Sequence, residues 1–201
     1  MKLLLATHSE HKRREFERLL AASAGSTWEI DALADAVRLP PEDGETFTEN
    51  ALAKARAAAR ATGRTSIADD SGIAAAALGG APGVRSARYA GEHATDRENL
   101  EKLVREAPAG SGLEYVCALA YVDLDAAIEL VVEGRCGGRL AGDPKGTGGF
   151  GYDPAFLPDD GPEGLTMAEL SDEQKDAISH RGRAARTLLG WLEAGRPLVV
   201  S

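Results

Sequence analysis

The stretch from Thr46 to Gly72 leaves little freedom in what this chain folds into. Thr46-Phe47-Thr48-Glu49 has capping-box spacing, in which a hydroxyl and a carboxylate satisfy the first free amides of a helix. The run that follows, Ala51–Ala61, is dense in alanine, so helix is its expected state, and Gly63 is a natural stop. Thr65-Ser66-Ile67-Ala68 is then a short apolar run that reads as a strand. Asp69-Asp70-Ser71-Gly72 reads as a tight turn that delivers both acids to the end of that strand. A capped helix feeding a buried strand implies helices packed on a sheet, and ligands of such sheets sit beyond the strands' carboxyl ends.

The remaining segments extend the same pattern. Lys2–Ala6 reads as a buried first strand, and Thr7–Lys12 as a polar turn capped by Thr7 with Glu10 or by Ser9 alone. Phe16, Leu19 and Leu20 mark an amphipathic helix. Trp28–Val37 is expected to be extended, then helical or irregular, and Pro40–Gly44 a loop. Gly79–Gly91 is expected to be a long ordered loop, and Thr95-Asp96-Arg97-Glu98 opens a helix that buries Leu100, Leu103 and Val104. Leu113–Val122 and Ile128–Arg135 form a predicted hairpin turning near Asp123-Leu124-Asp125. Gly142–Pro158 is a glycine-rich loop, Thr166–Leu170 a short helical piece, and Asp172–Glu193 a helix or a pair broken at Gly182. Strands that alternate with helices early and form a hairpin late predict a mixed sheet of α/β class.

The chain has 201 residues, enough for one domain spanning 1–201 with two lobes and no separate linker. A net charge of −9 disfavours nucleic acid and anionic membranes as partners. Cys117 and Cys136 are too few for a disulfide framework and lack zinc spacing, which fits a reducing cytoplasm. The apolar stretch at the N-terminus is too short for a signal peptide, and nothing approaches a membrane span.

Four segments carry chemistry. Adjacent carboxylates repel unless a cation lies between or beside them, so Asp69-Asp70 suggests a divalent metal, and Mg²⁺ takes one or two carboxylates plus substrate phosphates. Glu42 would complete an oxygen-rich site if the fold brings it there. Thr7-His8-Ser9-Glu10-His11-Lys12 places hydroxyls and a lysine at a helix start, a ready anion site that also reads as a plain capped helix. Gly146–Pro154 frames Phe150 and Asp153 with glycines, which suits stacking on a nucleobase and equally suits a turn with a core phenylalanine. Lys175 with Ser179-His180-Arg181-Gly182 gathers cationic groups at a helix end, where they bind anions or simply complement the dipole.

Taken in order, these segments resemble the inosine triphosphate pyrophosphatase family. The resemblance runs through Leu5-Ala6-Thr7 with Lys12, Glu42 with Gly44, Thr46–Ala51, Lys54-Ala55 and Ala68–Gly72. It continues through Gly79–Val84, Ser86–Tyr89, Gly91, Gly146–Pro154, Ala168–Leu170, Lys175 and Ile178–Gly182. It implies an elongated mixed β-sheet with surrounding helices, two lobes flanking an active-site cleft, and a homodimer. It implies hydrolysis of ITP, dITP and XTP between the α and β phosphates with Mg²⁺. In that scheme Asp70 is the proton acceptor, and Glu42, Asp69 and Asp70 hold the metal. Thr7, Ser9, Lys12 and Ser71 grip the triphosphate, Phe150 stacks on the purine, and Gly151 and Tyr152 count among the substrate-binding residues. Asp153, Lys175, His180 and Arg181 read the base edge. A 6-carbonyl accepts from such donors where an adenine amino group does not, a difference of roughly 10⁴-fold in hydrogen-bonding sites. Ser9 stands where the family carries asparagine, His11 where glycine is common, and Arg85 where an aromatic is usual. The alternatives are a pyrophosphatase for modified pyrimidine triphosphates and a nucleotide-binding regulatory module without turnover.

Overall fold

A computed structural model describes residues 2–21 and 28–195. In chain order the elements are β1 (Lys2–Leu5), α1 (Glu10–Ala21), β2 (Glu29–Ala32), α2 (Phe47–Thr62) and β3 (Ser66–Ala75). They continue as α3 (Asp96–Glu106), β4 (Gly112–Asp123), β5 (Ile128–Leu140), β6 (Phe156–Pro158), α4 (Asp172–Ile178) and α5 (His180–Glu193). The sheet has six strands in the order β2-β1-β3-β4-β5-β6. β1 runs parallel to β2 and β3, and β5 antiparallel to β6, so the sheet is mixed as the sequence pattern predicts.

The chain divides into two compact units. The first comprises the residues up to 70, 117–134 and from 181 onward; the second comprises 71–116 and 135–180. In the first unit the strands are covered on both faces, and successive residues serve different layers. Leu3, Leu5, Ile67, Cys117, Leu119 and Tyr121 pack with Phe16, Leu19 and Leu20 of α1 and with Ala184, Leu188 and Leu192 of α5. Their neighbours Leu4, Ala6, Ala68, Ala118, Ala120 and Val122 pack with Ala51, Ala55, Ala58 and Ala59 of α2. That is why these strands read as unbroken apolar runs rather than alternating ones. The alanine face of α2 meets an alanine-rich sheet face, so small side chains set the spacing between the two layers.

The second unit has its own core of Ile73, Leu103, Tyr115, Cys136, Leu140, Tyr152, Phe156 and Met167. The Gly79–Gly91 segment is ordered but not plain loop, since Gly83–Arg88 forms a 3-10 helix. Both capping boxes predicted from spacing are present, Thr46 with Glu49 and Thr95 with Glu98. At α1 the cap is Ser9, whose hydroxyl accepts from Lys12 N at 3.4 Å, while Thr7 Oγ1 accepts from Ser9 N at 3.1 Å.

Two expectations are corrected. The strand expected to end at Asp69-Asp70 continues to Ala75, so both acids lie mid-strand. A ten-residue strand tolerates them because each carboxylate has buried or half-buried polar partners on its own face. The C-terminal helix pair breaks at Ser179, whose backbone is extended (φ −65°, ψ 155°), and not at Gly182, which lies inside α5. Ser179 N still bonds Lys175 O, so α4 closes its last turn before the chain redirects.

Replacing Ala58, fully buried on α2, by leucine forces extra methylenes between α2 and the sheet. The expected cost is about 1–3 kcal/mol, read as a lower urea midpoint with unchanged m-value.

Candidate active site

In the first unit, β3 presents Asp69 and Asp70 as successive residues, which sends their side chains to opposite faces. Asp69 turns toward the α1 and α5 layer. Its Oδ2 lies 3.0 Å from Lys12 Nζ and 3.4 Å from Arg181 Nε, and Arg181 Nη1 donates to Glu15 Oε2 at 3.0 Å. Arg181 stands in the first turn of α5, where the helix dipole disfavours a cation. Two buried carboxylates, Asp69 and Glu15, offset that penalty.

Asp70 turns toward α2. Its Oδ2 accepts from Asn50 Nδ2 at 2.8 Å, and Lys54 Nζ lies 3.9 Å from its Oδ1. Lys54 also donates to Glu42 Oε1 and, at 2.6 Å, to the main-chain carbonyl of Asp69. Asn50 Oδ1 in turn accepts from Gly44 N at 2.9 Å, which pins the 42–44 loop to α2. A Cβ at residue 44 would come within 2.7 Å of that oxygen, so the close approach requires glycine.

The two aspartates are driven apart electrostatically. For Asp69, burial opposes ionisation, but Lys12, Arg181 and Lys54 outweigh it and hold the carboxyl far below the usual carboxylate range. For Asp70, burial pushes the carboxyl up; Lys54 pulls it back and Glu42 pushes it further up. Lys54 stays firmly protonated, because Asp69, Glu42 and Asp70 outweigh the burial that opposes its charge. One aspartate is thus locked as an anion and its neighbour is poised to accept a proton, the pattern by which paired carboxylates divide roles.

The second unit holds the other group. Asp153, 3% exposed, receives Tyr115 OH on Oδ1 at 3.0 Å, and Phe150 N at 2.9 Å and Lys175 Nζ at 2.8 Å on Oδ2. Lys175 Nζ lies 5.3 Å from the centre of the Phe150 ring. The His180 ring stacks on Tyr115 with centroids 4.5 Å apart and planes 5° apart. A Cβ at Gly149, whose φ is +66°, would fall 2.0 Å from Asp153 Oδ2, so glycine is needed there on both counts.

The structure therefore gathers Lys12, Glu42, Asp69, Asp70 and Arg181 in one polar cluster, and Phe150, Asp153, Lys175 and His180 in another. Arg181, grouped by sequence with His180 and Lys175, lies with the carboxylates. Ser71 follows Asp70 in β3 and is half-buried. Tyr152 is packed in the core of the second unit with its hydroxyl donating to Ser86 O at 2.7 Å, and Gly151 N donates to Asp96 Oδ2 at 3.1 Å. Sequence reasoning gave no site role to Glu15, Asn50, Lys54 or Tyr115, although Asn50 and Lys54 lie in segments that carry the family resemblance. Asn50 and Lys54 had a readable signal: a polar pair at i, i+4 within the stripe of Ala51, Ala55, Ala58 and Ala59 that faces the sheet. Glu15 sits one turn from Lys12 and had no such signal.

Fold and site define an α/β protein with a buried, cation-lined aspartate pair and a separate aromatic–lysine–aspartate cluster. The model of the Ham1 family matches residues 3–191, and the chain belongs to that family. It is 47% identical over 197 residues to a dITP/XTP pyrophosphatase of Mycolicibacterium paratuberculosis, covering 95% of each chain. It is 46% identical over 202 residues to one from Shigella flexneri, covering 96% of this chain and 99% of that protein. The solved structure of a HAM1 protein from Coxiella burnetii superposes with a TM-score of 0.84 at 36% identity, covering 96% of this chain and 99% of the other.

Lys54→Met strands Glu42 and Asp70 without their shared buried cation. Breaking a buried pair from one side costs about 3–5 kcal/mol, so the variant is expected to unfold at a much lower urea concentration than wild type.

Proposed function

We propose that this protein hydrolyses non-standard purine nucleoside triphosphates (dITP, XTP and ITP) to the monophosphate and pyrophosphate. Water attacks the α-phosphorus, the bond from that phosphorus to the α–β bridging oxygen breaks, and pyrophosphate leaves. The observation that carries this reading is the split between Asp69 and Asp70. Attack by water on a phosphoanhydride is helped by a general base that takes its proton, and a carboxylate beside cations can fill that role. Burial pushes the Asp70 carboxyl up, while the side chains of Lys12, Lys54 and Arg181 lie around the pair.

Within this reading Asp70 is the general base, a role worth roughly 10²–10⁴-fold. Asn50 holds one of its oxygens and so orients the other. Lys12, with the hydroxyls of Thr7 and Ser9 at the start of α1, engages the phosphates, where free amides and the helix dipole favour anions. Ser71 adds a hydroxyl next to Asp70. Arg181 and Lys12 keep Asp69 ionised and in place.

The donor set suits Mg²⁺. Glu42 Oε1, Asp70 Oδ1 and the Asp69 carbonyl converge on one cation, Lys54 Nζ, and all are hard oxygen ligands. Among the described residues no group of three or more His, Cys, Asp and Glu is arranged to hold a metal by itself. In this reading such an ion would be held by Glu42 and Asp70, with Asp69 nearby, and completed by substrate phosphate. When bound, such an ion offsets the negative charge that repels an incoming nucleophile.

The second cluster takes the base in this reading. Phe150 stacks on the purine, and Lys175 and His180 offer donors to the 6-carbonyl. Asp153 accepts three hydrogen bonds and organises the cluster. Gly151 and Tyr152 shape the loop behind Phe150. The reading extends to a homodimer, supported by the family resemblance, and to the cytoplasm, supported by two buried free cysteines. No described helix is long and apolar enough to cross a membrane.

The test is pyrophosphate release from ITP, dITP, XTP, GTP, ATP and TTP, each with Mg²⁺ and with EDTA. Metal-dependent release from the inosine and xanthosine substrates, with Asp70→Asn folded and at least 10²-fold slower, is the expected result. Equal rates on all substrates would discard purine selection, preferred turnover of a modified pyrimidine triphosphate would change the substrate class, and binding without release would replace the hydrolase with a sensor.

A further inference from the structure

The first residues of β4, up to 116, run through the core of the second unit, where apolar residues suffice. Leu113 on the same strand is simply apolar, but Tyr115 buries a hydroxyl, being only 6% exposed. A phenylalanine would fill the same volume and pack as well against Phe156, whose ring centre lies 4.6 Å away. The hydroxyl is therefore not explained by packing, and a buried phenol needs an acceptor.

Its acceptor is Asp153 Oδ1, at 3.0 Å. The other carboxylate oxygen accepts from Phe150 N and Lys175 Nζ. A carboxylate held at one end only can swing about its χ2 axis. Held at Oδ1 by Tyr115 and at Oδ2 by the Phe150 amide, it has one orientation. That orientation places the Lys175 ammonium, which is 5% exposed and lies over the Phe150 ring. The ring of the same tyrosine lies flat on His180, setting the plane of the imidazole. One side chain thus fixes the aspartate that orients the lysine and also the neighbouring histidine.

We propose that Tyr115 is the positioning residue of base recognition: through its hydroxyl on Asp153 and its ring on His180 it sets the selectivity for 6-oxo over 6-amino purines. This rests on the reading above of the second cluster as the base site. Tyr115 touches neither phosphate nor base in this scheme, and it acts through Asp153, Lys175 and His180.

Tyr115→Phe isolates the hydroxyl, because the ring and its stack on His180 remain. Steady-state kinetics on dITP and dATP with Mg²⁺ are measured for wild type, Tyr115→Phe, Asp153→Asn and the double variant, with urea unfolding of each. The loss of one hydrogen bond to a charged group is expected to raise KM for dITP about tenfold. The value of kcat stays within about twofold, since the phosphate cluster is untouched, and kcat/KM for dATP is unchanged. The double variant should behave as Asp153→Asn alone, because the hydroxyl acts through that carboxylate. Tyr121→Phe, which removes another buried tyrosine hydroxyl, paired at 3.2 Å with Asp123, should leave the dITP/dATP ratio unaltered. An unchanged ratio in Tyr115→Phe, parallel losses on both substrates, or additive effects in the double variant would each overturn the role of Tyr115 and leave the proposed function standing. Absence of wild-type turnover on dITP would instead remove the proposed function and this inference with it.

Discussion

A β-strand sends successive side chains to opposite faces, and β3 is covered on both. The first of the two polar clusters follows from placing two acids consecutively on such a strand. One carboxylate must be satisfied from the α1 and α5 layer and the other from the α2 layer. Lys12, Arg181 and Glu15 are the response on one side, and Asn50, Lys54 and Glu42 the response on the other. The strand separates electrostatically what the sequence writes side by side. Asp69 is held as an anion, and Asp70 is left with a raised proton affinity.

Such a cluster is a poor way to gain stability. Desolvating charges costs several kcal/mol per ion, and apolar replacements of similar shape often do as well or better. Three cations and four carboxylates buried or half-buried in one unit, beside an alanine interface that would pack without them, are better understood as a functional requirement. The second unit repeats the pattern on a smaller scale, with Asp153 and Lys175 both buried and joined at 2.8 Å.

Much of the architecture was legible wherever local chemistry decides it. The capping boxes at Thr46 and Thr95 and the glycine stop at Gly63 mark helix ends by satisfying specific amides and carbonyls, and those ends stand where spacing put them. The mixed sheet followed from the order of strand-like and helix-like runs. What escaped depends on tertiary partners. Asp69-Asp70 looks like a turn because two exposed acids would end a strand; only the cations of α1, α2 and α5 let the strand continue. The break at Ser179 rather than Gly182 is likewise a backbone choice by a residue with no strong preference. Among site residues, the acids and Lys12 were legible as charges needing an explanation. Tyr115 was not, because a tyrosine in an apolar strand reads as core. Arg181 was assigned with its sequence neighbours, although the helix that begins at His180 turns it toward Asp69.

The two units are not consecutive in the chain. The division falls after residues 70, 116, 134 and 180, three of those points inside strands and one in the first turn of α5. The first unit begins at the N-terminus yet takes Ala184, Ala185, Leu188, Leu189 and Leu192 of α5 into its core. On the ribosome, Leu3, Leu5, Ile67, Cys117 and Leu119 meet Phe16, Leu19 and Leu20 of α1 early but wait for the rest of their cover until α5 has been made. Domains that fold as units during synthesis usually do so from the N-terminal end. Here the first unit is not complete until α5 has been made, so the nascent chain carries a sheet face covered only by α1 while the whole second unit is being synthesised.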